Sequence, residues 1–137
     1  MNDNKINVIH VIWSGTFGGI EKLTYDLCSI QQQSNYVRPE LLICKNEKNY
    51  FETFINSSVK IHLAKFNNGF DISPIKLYRV FRVFKKSDII HFHSFNPAVF
   101  FLGIISGNKI IYTEHGTFGK GRKLSFTGRC AHYLKNK

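Results

Sequence analysis

The most constraining feature of this sequence is an apolar run that ends abruptly in glycines and restarts as a helical pattern. The run spans Ile6 to Trp13, the glycine-rich segment spans Ser14 to Gly19, and an amphipathic pattern begins at Ile20. This order predicts a strand, a glycine turn and the start of a helix. Such a turn leaves backbone N–H groups at the positive end of the helix dipole, where an anion such as phosphate can bind.

The same alternation of strand and helix continues along the chain. Periodicity predicts further strands at Arg38 to Cys44, Val59 to Leu63, Asp88 to His93 and Lys109 to Glu114, and helices at Ile20 to Gln33, Tyr50 to Ile55, Ser73 to Lys86 and Pro97 to Ser106. Several strands are nearly continuous apolar runs, which is typical of strands covered on both faces. We therefore expect an α/β fold, a doubly wound parallel sheet with helices on both faces.

Two of the predicted helices carry signals for how they pack. In the first, apolar residues recur at helical spacing and should form one stripe on the sheet: Ile20, Leu23, Leu27 and Ile30. The third begins with Ser73, a suitable N-cap, and Pro74, which favours a first helical turn. One face of this helix is apolar and the other is basic, the basic residues being Lys76, Arg79, Arg82 and Lys86.

The chain carries a formal net charge of +10 at pH 7, so acidic partners are expected. The basic face of the third helix is explained either by ordinary solvation or by contact with anionic lipid headgroups. More basic residues follow Glu114, after which the sequence has no acid. A nucleic-acid surface would need exposed aromatic side chains among the basic ones, whereas most phenylalanines sit at positions that suit a core. We expect no nucleic-acid partner.

The cysteines and the longest apolar stretch bear on the environment of the protein. Cys28, Cys44 and Cys130 are far apart and lack the spacing of a disulfide framework or a zinc site. The stretch from Ala98 to Ile105 is about half as long as a membrane span requires. We expect a cytoplasmic protein, with peripheral contact at the inner membrane face as an alternative.

The glycine turn matches neither of two common phosphate-binding motifs. Gly15, Gly18 and Gly19 give G-x-x-G-G, whereas dinucleotide-binding turns have G-x-G-x-x-G and P-loops continue into Gly-Lys. No acid closes the second strand, since Glu47 lies only beyond it. The glycine pair either lets a ligand approach the backbone or simply makes a tight turn.

Two histidines alternate at the end of the fourth predicted strand. His91 and His93 are two residues apart and therefore lie on one side of the strand. His93 is at the carboxyl end, where open α/β sheets bind ligands, whereas His91 is better explained as a hydrogen-bonded residue of the strand. A metal site of His91, His93 and His115 would use imidazole ligands, but no carboxylate lies at matching spacing. We expect no metal and no cofactor.

The fifth predicted strand also ends in a histidine, His115, which is followed by a glycine. Because carboxyl ends of parallel strands share one edge of a sheet, His115, His93 and the turn at Gly18 and Gly19 should converge on one crevice. Three strand ends that converge indicate a site more strongly than any one of them.

Three segments carry a resemblance to a known family: GTFGGIEKLTYDL, SDIIHFHS and KIIYTEHGTFG, in this order and at this separation. Together they resemble the N-terminal domain of retaining GT-B-type glycosyltransferases of family 4, over about Lys5 to Gly121. The resemblance implies a Rossmann-like domain, one of two that face a cleft. It also implies an enzyme that moves a sugar from a nucleotide-sugar to a polysaccharide or glycolipid acceptor.

The resemblance assigns roles to individual residues. Gly18 and Gly19 match the family's glycine turn, which lies close to the donor diphosphate and the reacting sugar. His115 matches the histidine that lies beside the transferred sugar and helps to position it, and it is the candidate catalytic residue. His93 matches the second histidine of the D-I-I-H-x-H segment, near the acceptor.

The resemblance covers only the first half of such enzymes, whose nucleotide-binding pocket lies in a C-terminal domain. We expect residues 1–137 to be a single, incomplete domain that is inactive alone and binds nucleotide-sugar very weakly. The alternative function is a non-catalytic basic module that binds nucleic acid or an anionic membrane surface.

Overall fold

The computed structural model describes residues 5–115, apart from residues 49, 51 and 57. Its elements follow one another as β1 Ile6–Ile12, α1 Gly19–Gln32, β2 Val37–Lys45, α2 Glu52–Ile55, β3 Lys60–Phe66, α3 Pro74–Phe84, β4 Ile89–Phe92, α4 Pro97–Ser106 and β5 Lys109–Tyr112. The strands form one parallel sheet in the order β3-β2-β1-β4-β5. The strand order reverses between β1 and β4, which is where such sheets form a crevice beyond the carboxyl ends of the strands.

This architecture confirms the predicted α/β fold with a parallel sheet. Each predicted strand and helix is present, and only the ends differ. The largest difference is in β3, which continues to Phe66. The pairing of β2 with β3 shifts between Ile43 and Lys45, and Lys65 has a φ of 59°. This irregularity is typical of a bulge, which bends a strand while letting its pairing continue.

The sheet has a hydrophobic core on each face. On the face covered by α3 and α4, the buried side chains are Ile9, Val11, Leu42, Cys44, Ala64, Phe66, Val80, Phe84, Ile90, Phe92 and Val99. On the face covered by α1 and α2, they are Ile12, Cys28, Leu41, Ile43, Phe54 and Val59. Successive side chains of a strand point to opposite faces, so residues at alternate positions enter the same core. The same rule places His10, His91 and His93 together on the α1 face.

The predicted apolar stripe of α1 is wrong for Leu23 and Ile30, which are 48% and 67% exposed. The residues of α1 that are buried are Thr24 and Cys28. Their small side chains let the helix lie close to the sheet, and the Thr24 hydroxyl donates to the Ile20 carbonyl oxygen at 2.8 Å. This orientation also turns a polar side chain of the helix toward the buried histidines, as described below.

The start of α3 differs in one detail from the prediction. Pro74 is its first residue, but the Ser73 side chain makes no capping hydrogen bond. The nearby Asp71 carboxylate instead accepts from the backbone N–H groups of Asn67 and Ser73, at 2.9 and 3.1 Å, and pairs with Lys76 Nζ at 2.6 Å. These contacts, led by the Asn67 N–H, lower the pKa of Asp71 to about 2. Lys76 is thereby drawn away from the basic face of the helix.

Clear local signals set both ends of α4. The Asn96 side chain accepts from the Val99 N–H at 3.1 Å and Pro97 occupies the first position. Gly107 ends the helix with a φ of 78°, in the left-handed region that glycine adopts without strain. A short connection through Gly107 therefore leads from α4 into β5.

Two findings bear on the expected environment. Among the described residues, no helix has both the length and the apolar character that crossing a membrane requires. Cys28 and Cys44 are free and buried, and burial raises the pKa of each thiol to about 12. Cys130 and the basic residues after Glu114 lie outside the described part of the chain.

Candidate functional site

The carboxyl ends of β1, β4 and β5 lie side by side. His93 directly follows β4, and its backbone N–H donates to the Val11 carbonyl oxygen at 2.9 Å. The Thr113 N–H likewise donates to the Phe92 carbonyl oxygen at 2.9 Å. These bonds continue the pairing past the strand ends and hold the departing segments in register. His115, two residues after Thr113, is thereby kept next to His93.

A chain of ring nitrogens runs across this edge of the sheet. His10 Nε2 lies 2.7 Å from Gln31 Oε1 on α1, and His10 Nδ1 lies 3.0 Å from His93 Nε2. His93 Nδ1 in turn lies 3.2 Å from His115 Nε2. His91 packs beside this chain, with its ring centroid 4.1 Å from that of His93. We call His10, His91, His93 and His115 the histidine cluster.

The hydrogen bonds define one consistent set of ring protons. Gln31 Oε1 is a carbonyl oxygen and can only accept, so His10 Nε2 donates to it and His10 Nδ1 remains an acceptor. His93 Nε2 then donates to His10 Nδ1, and His115 Nε2 donates to His93 Nδ1. Donation therefore runs from His115 through His93 to His10 and ends on α1.

Burial keeps the inner rings of the cluster uncharged. His10 and His93 are 0% and 2% exposed. Burial, helped by charge on the neighbouring histidines, lowers the pKa of His91 to about 4 and that of His93 to about 3. Burial also lowers the pKa of His10, although its bond to Gln31 acts in the opposite direction. At pH 7 the three rings are neutral, so they offer hydrogen bonds and lone pairs instead of positive charge.

His10 is the member of the cluster that the sequence analysis missed. It lies inside a continuous apolar run, which predicts a core strand and draws attention away from a single polar residue. The parallel pairing sets His10 directly opposite His91. One histidine in each of two apolar strands was the available signal, because neighbouring parallel strands can bring such residues together. His91 itself is partly buried, with Nε2 at 2.7 Å from Thr113 Oγ1, as suits a hydrogen-bonded strand residue.

The glycines of the turn after β1 have different roles. A Cβ atom on Gly15 would come within 2.6 Å of the Tyr50 ring, so packing requires glycine there. A Cβ on Gly19 would meet no atom within 4 Å, and one on Gly18 would overlap only the flexible Glu21 carboxylate. Neither Gly18 nor Gly19 has a positive φ. The described fold therefore requires the first glycine but not the following pair.

Glu47 is a second residue whose position the sequence analysis did not predict. Two residues beyond β2, its carboxylate folds back onto the turn and accepts from the Gly15 N–H at 2.9 Å and the Ser14 hydroxyl at 3.0 Å. It also pairs with Lys45 at 3.1 Å. Burial alone would raise the pKa of Glu47, but these three contacts outweigh burial and lower the pKa. Glu47 thus occupies the N–H of Gly15, whereas Gly18, the N-cap residue of α1, provides no side-chain cap.

A basic groove of about 550 Å³ lies away from the histidine cluster, between α3 and the strands β2 and β3. Its charged lining consists of Arg38, Glu40, Lys60, His62, Arg79, Arg82 and Lys86. Glu40 is bonded on both sides, to Lys60 Nζ at 3.0 Å and to His62 Nε2 at 2.6 Å. The groove therefore brings together part of the positive charge of α3 and of the sheet, but none of the predicted site residues.

No protein-family model and no curated protein matches this chain. Solved structures that resemble it in fold include a galactosyltransferase and a dehydrogenase. The lipopolysaccharide outer core galactosyltransferase WaaB, in its apo form, superposes with a TM-score of 0.55 at 14% identity, over 78% of this chain and 32% of its own. Apo saccharopine dehydrogenase (L-Glu forming) from Saccharomyces cerevisiae gives a TM-score of 0.53 at 10% identity, over 82% of this chain and 22% of its own.

These similarities concern the fold. They relate the sheet and its helices to a Rossmann-like α/β domain that occurs in a glycosyltransferase and in a dehydrogenase. The chain spans about a third of the galactosyltransferase and about a fifth of the dehydrogenase. Since a fold of this type hosts many activities, the function has to be argued from the site.

Proposed function

We propose that this chain is the N-terminal, acceptor-side portion of a retaining glycosyltransferase of the hexosyltransferase type. In this proposal the complete enzyme moves a sugar from a nucleotide-sugar donor to a polysaccharide or glycolipid acceptor. One observation carries the proposal: His93 and His115 meet at 3.2 Å on the sheet edge that also carries the glycine turn. The fold similarity to a galactosyltransferase supports it.

The turn at Gly18 and Gly19 suits close approach of a donor diphosphate. Packing and backbone conformation leave both positions tolerant of a side chain, so their small size is best explained by a ligand that needs the space. The N–H groups at the start of α1 are oriented by the helix and would stabilise the charge that develops on a leaving phosphate. Such preorganised donors are usually the largest single contribution to catalysis.

His115 suits hydrogen bonding to sugar hydroxyl groups, and His93, whose two ring nitrogens are bonded to His10 and His115, holds it in place. We assign His115 to the transferred sugar and His93 to the acceptor side. The inner ring of His93 is fixed between two other rings, which holds the edge of the site rigid. Fixed partners lower the reorganisation needed when a substrate binds.

A dehydrogenase function, suggested by the second fold neighbour, has less support. The turn has G-x-x-G-G in place of the dinucleotide pattern G-x-G-x-x-G. In addition, Glu47 already accepts from the first N–H of the turn, at Gly15. A dinucleotide would have to displace this carboxylate from its position.

A nuclear magnetic resonance titration of the purified chain tests the proposed site. We expect a nucleoside diphosphate sugar from a panel of sugars and bases, at millimolar concentration, to shift the resonances of Gly18, Gly19, His93 and His115. The matching nucleoside monophosphate should shift them less, and resonances of His62 in the basic groove should not move. The assignment of the site is wrong if no donor perturbs these residues.

The same donors test the expectation that the chain is inactive alone. We expect no release of free nucleotide beyond that of a blank, because the proposed enzyme needs a second domain to hold the nucleotide. Robust turnover by the purified chain would contradict this expectation.

We further propose that the basic groove makes peripheral contact with anionic lipid through Arg79, Arg82 and Lys86. Each basic residue near such a surface adds about 1 kcal/mol, so replacing all three by alanine should weaken binding to phosphatidylglycerol vesicles about a hundredfold. Lys76 is expected to matter less, because it is paired with Asp71.

A control that removes the same charge outside the groove, at the exposed residues Lys48, Lys65 and Lys109, should weaken binding much less. Equal losses in the two triple variants would assign the attraction to net charge and not to the groove.

A further inference from the structure

The arrangement of rings in the histidine cluster goes beyond what sugar transfer requires. One nitrogen from each of His10, His91 and His93 can be chosen so that all three nitrogens lie within 4.8 Å of one another. The three residues come from the adjacent strands β1 and β4, on the face of the sheet that packs against α1. A rigid sheet thus holds three imidazole rings around one point.

In each of the three rings, one nitrogen is bonded to a residue outside this set of three histidines, and we call it the outer nitrogen. Gln31 holds His10 Nε2 at 2.7 Å, Thr113 holds His91 Nε2 at 2.7 Å, and His115 holds His93 Nδ1 at 3.2 Å. Outer partners of this kind orient metal-binding histidines and select their tautomers. The remaining nitrogens of two rings, His10 Nδ1 and His93 Nε2, face each other at 3.0 Å, and we call them the inner nitrogens.

The spacing is close to that of a coordinated metal. Zinc binds histidine nitrogen at about 2.0–2.1 Å, which puts two ligands of a tetrahedral site about 3.3 Å apart. The inner nitrogens of His10 and His93 need to separate only slightly, and His91 offers a nitrogen to a set of three that lie within 4.8 Å of one another. Gln31 leaves the lone pair of His10 on Nδ1, as a metal ligand requires. In His93 the ring proton has to move from Nε2 to Nδ1, so that His115 Nε2 accepts from this ring when a metal is bound.

The geometry points to a site for a divalent transition cation of the zinc type, formed by His10, His91 and His93. Imidazole ligands alone select this class over magnesium or calcium, which prefer oxygen. Three protein ligands leave a fourth position, as in open zinc sites. This site differs from the set of His91, His93 and His115 considered from the sequence, because His115 acts here as an outer partner of His93.

Calorimetric titration of the purified chain with Zn²⁺, together with the visible spectrum of bound Co²⁺, tests this inference. We expect one ion per chain and a spectrum typical of tetrahedral coordination. His10→Gln, His91→Gln and His93→Gln should each weaken binding strongly. Gln31→Ala should weaken binding about tenfold, as loss of an outer partner does.

Two variants serve as matched controls. His62→Gln removes a partly buried histidine that is bonded to Glu40 in the basic groove, and His132→Gln removes one from the C-terminal segment. Both should bind Zn²⁺ like the wild type. The inference is overturned if wild-type binding is no tighter than that of a chain carrying all three ligand substitutions, or if either control loses as much affinity as the single ligand variants.

X-ray absorption at the zinc edge keeps the test independent of whether the variants fold. On the wild-type chain we expect a first shell of imidazole nitrogens. A shell dominated by oxygen, or one that contains sulfur from a cysteine, would overturn the assignment. Since no sugar is present in these measurements, their outcome is separate from that of the proposed glycosyltransferase function.

Discussion

The histidine cluster and the basic groove both gather titratable side chains, but in opposite ways. The inner rings of the cluster are buried, bonded to one another and uncharged at pH 7. The arginines and lysines of the groove are exposed and charged, with Glu40 between two of its basic neighbours. In the described part of the chain, the groove therefore gathers positive charge, whereas the edge where the strand ends converge gathers neutral rings.

The difference has a physical consequence for how each region should respond to mutation. A buried polar group that loses its partner keeps the full cost of its lost hydration, whereas an exposed charge is still hydrated by water. Substitutions in the cluster should therefore change stability, and those in the groove should change binding but not stability.

The largest effect is expected from His93→Ala. The substitution leaves a cavity beside His91 and takes away the partner of both His10 and His115, so we expect a loss of about 3 kcal/mol in the free energy of unfolding. Urea denaturation followed by circular dichroism measures this loss. A change below about 0.5 kcal/mol, within the range of ordinary surface substitutions, would remove the contrast between the two regions.

Two glycine variants compare positions within the turn after β1, at the carboxyl edge of the sheet. Gly15→Ala should cost about 2 kcal/mol, because its Cβ would lie 2.6 Å from the Tyr50 ring and the ring would have to move. Gly19→Ala should leave the stability nearly unchanged, because the added methyl meets no atom within 4 Å. Thermal melting of both variants is the measurement. Equal losses would mean that both glycines serve the fold, and the ligand-based explanation of Gly19 would fail.

Glu47→Gln tests the bound carboxylate at the turn and its dependence on pH. The folded pKa of Glu47 lies below its ordinary value of 4.5, so its stabilisation is present above about pH 4.5 and is lost as the pH falls below that value. We expect the variant to be about 1 kcal/mol less stable than the wild type at pH 7. The two proteins should converge in acid, as measured by denaturant titrations across that range. A difference that persists unchanged in acid would contradict the carboxylate's role.

The smallest effect is expected in the basic groove. Arg79→Ala and Arg82→Ala should each change the stability by less than about 0.5 kcal/mol, because both side chains are exposed. Removing one of several like charges also reduces the repulsion among those that remain, which offsets part of any lost contact. A loss as large as that of His93→Ala would show that the groove, too, is part of the folded core.

Much of the fold could be predicted from the sequence because its signals are local. Short and nearly continuous apolar runs predicted the strands. Pro97, preceded by Asn96, is a local signal for the start of α4. The rotation of α1 could not be predicted in this way. Thr24 and Cys28 face the sheet although Leu23 and Ile30 are more apolar. In this orientation the small side chains pack closely on the strands, and the Gln31 oxygen accepts a hydrogen bond from His10.

In the candidate site, too, some residues could be predicted from local signals and others depend on contacts that are distant in the sequence. His93 and His115 could be singled out because each follows an apolar strand, and parallel strands end at a common edge. His10 and Glu47 could not, since one is a single polar residue within a core strand and the other lies past the end of β2. Their roles come from pairing partners that are distant in the sequence: His93 for His10, and the turn at Ser14 and Gly15 for Glu47.

By itself the sequence determined the alternation of strands and helices, the position of His93 and His115 at the carboxyl edge of the sheet, and the excess of positive charge. Those properties depend on the order and period of residues, which are local. Only the tertiary structure decided that His10 joins His91 and His93, that their rings are neutral, and that basic residues of β2, β3 and α3 line a separate groove. Burial and hydrogen-bond partners come from segments far apart in the chain, and they are fixed only when the strands pair.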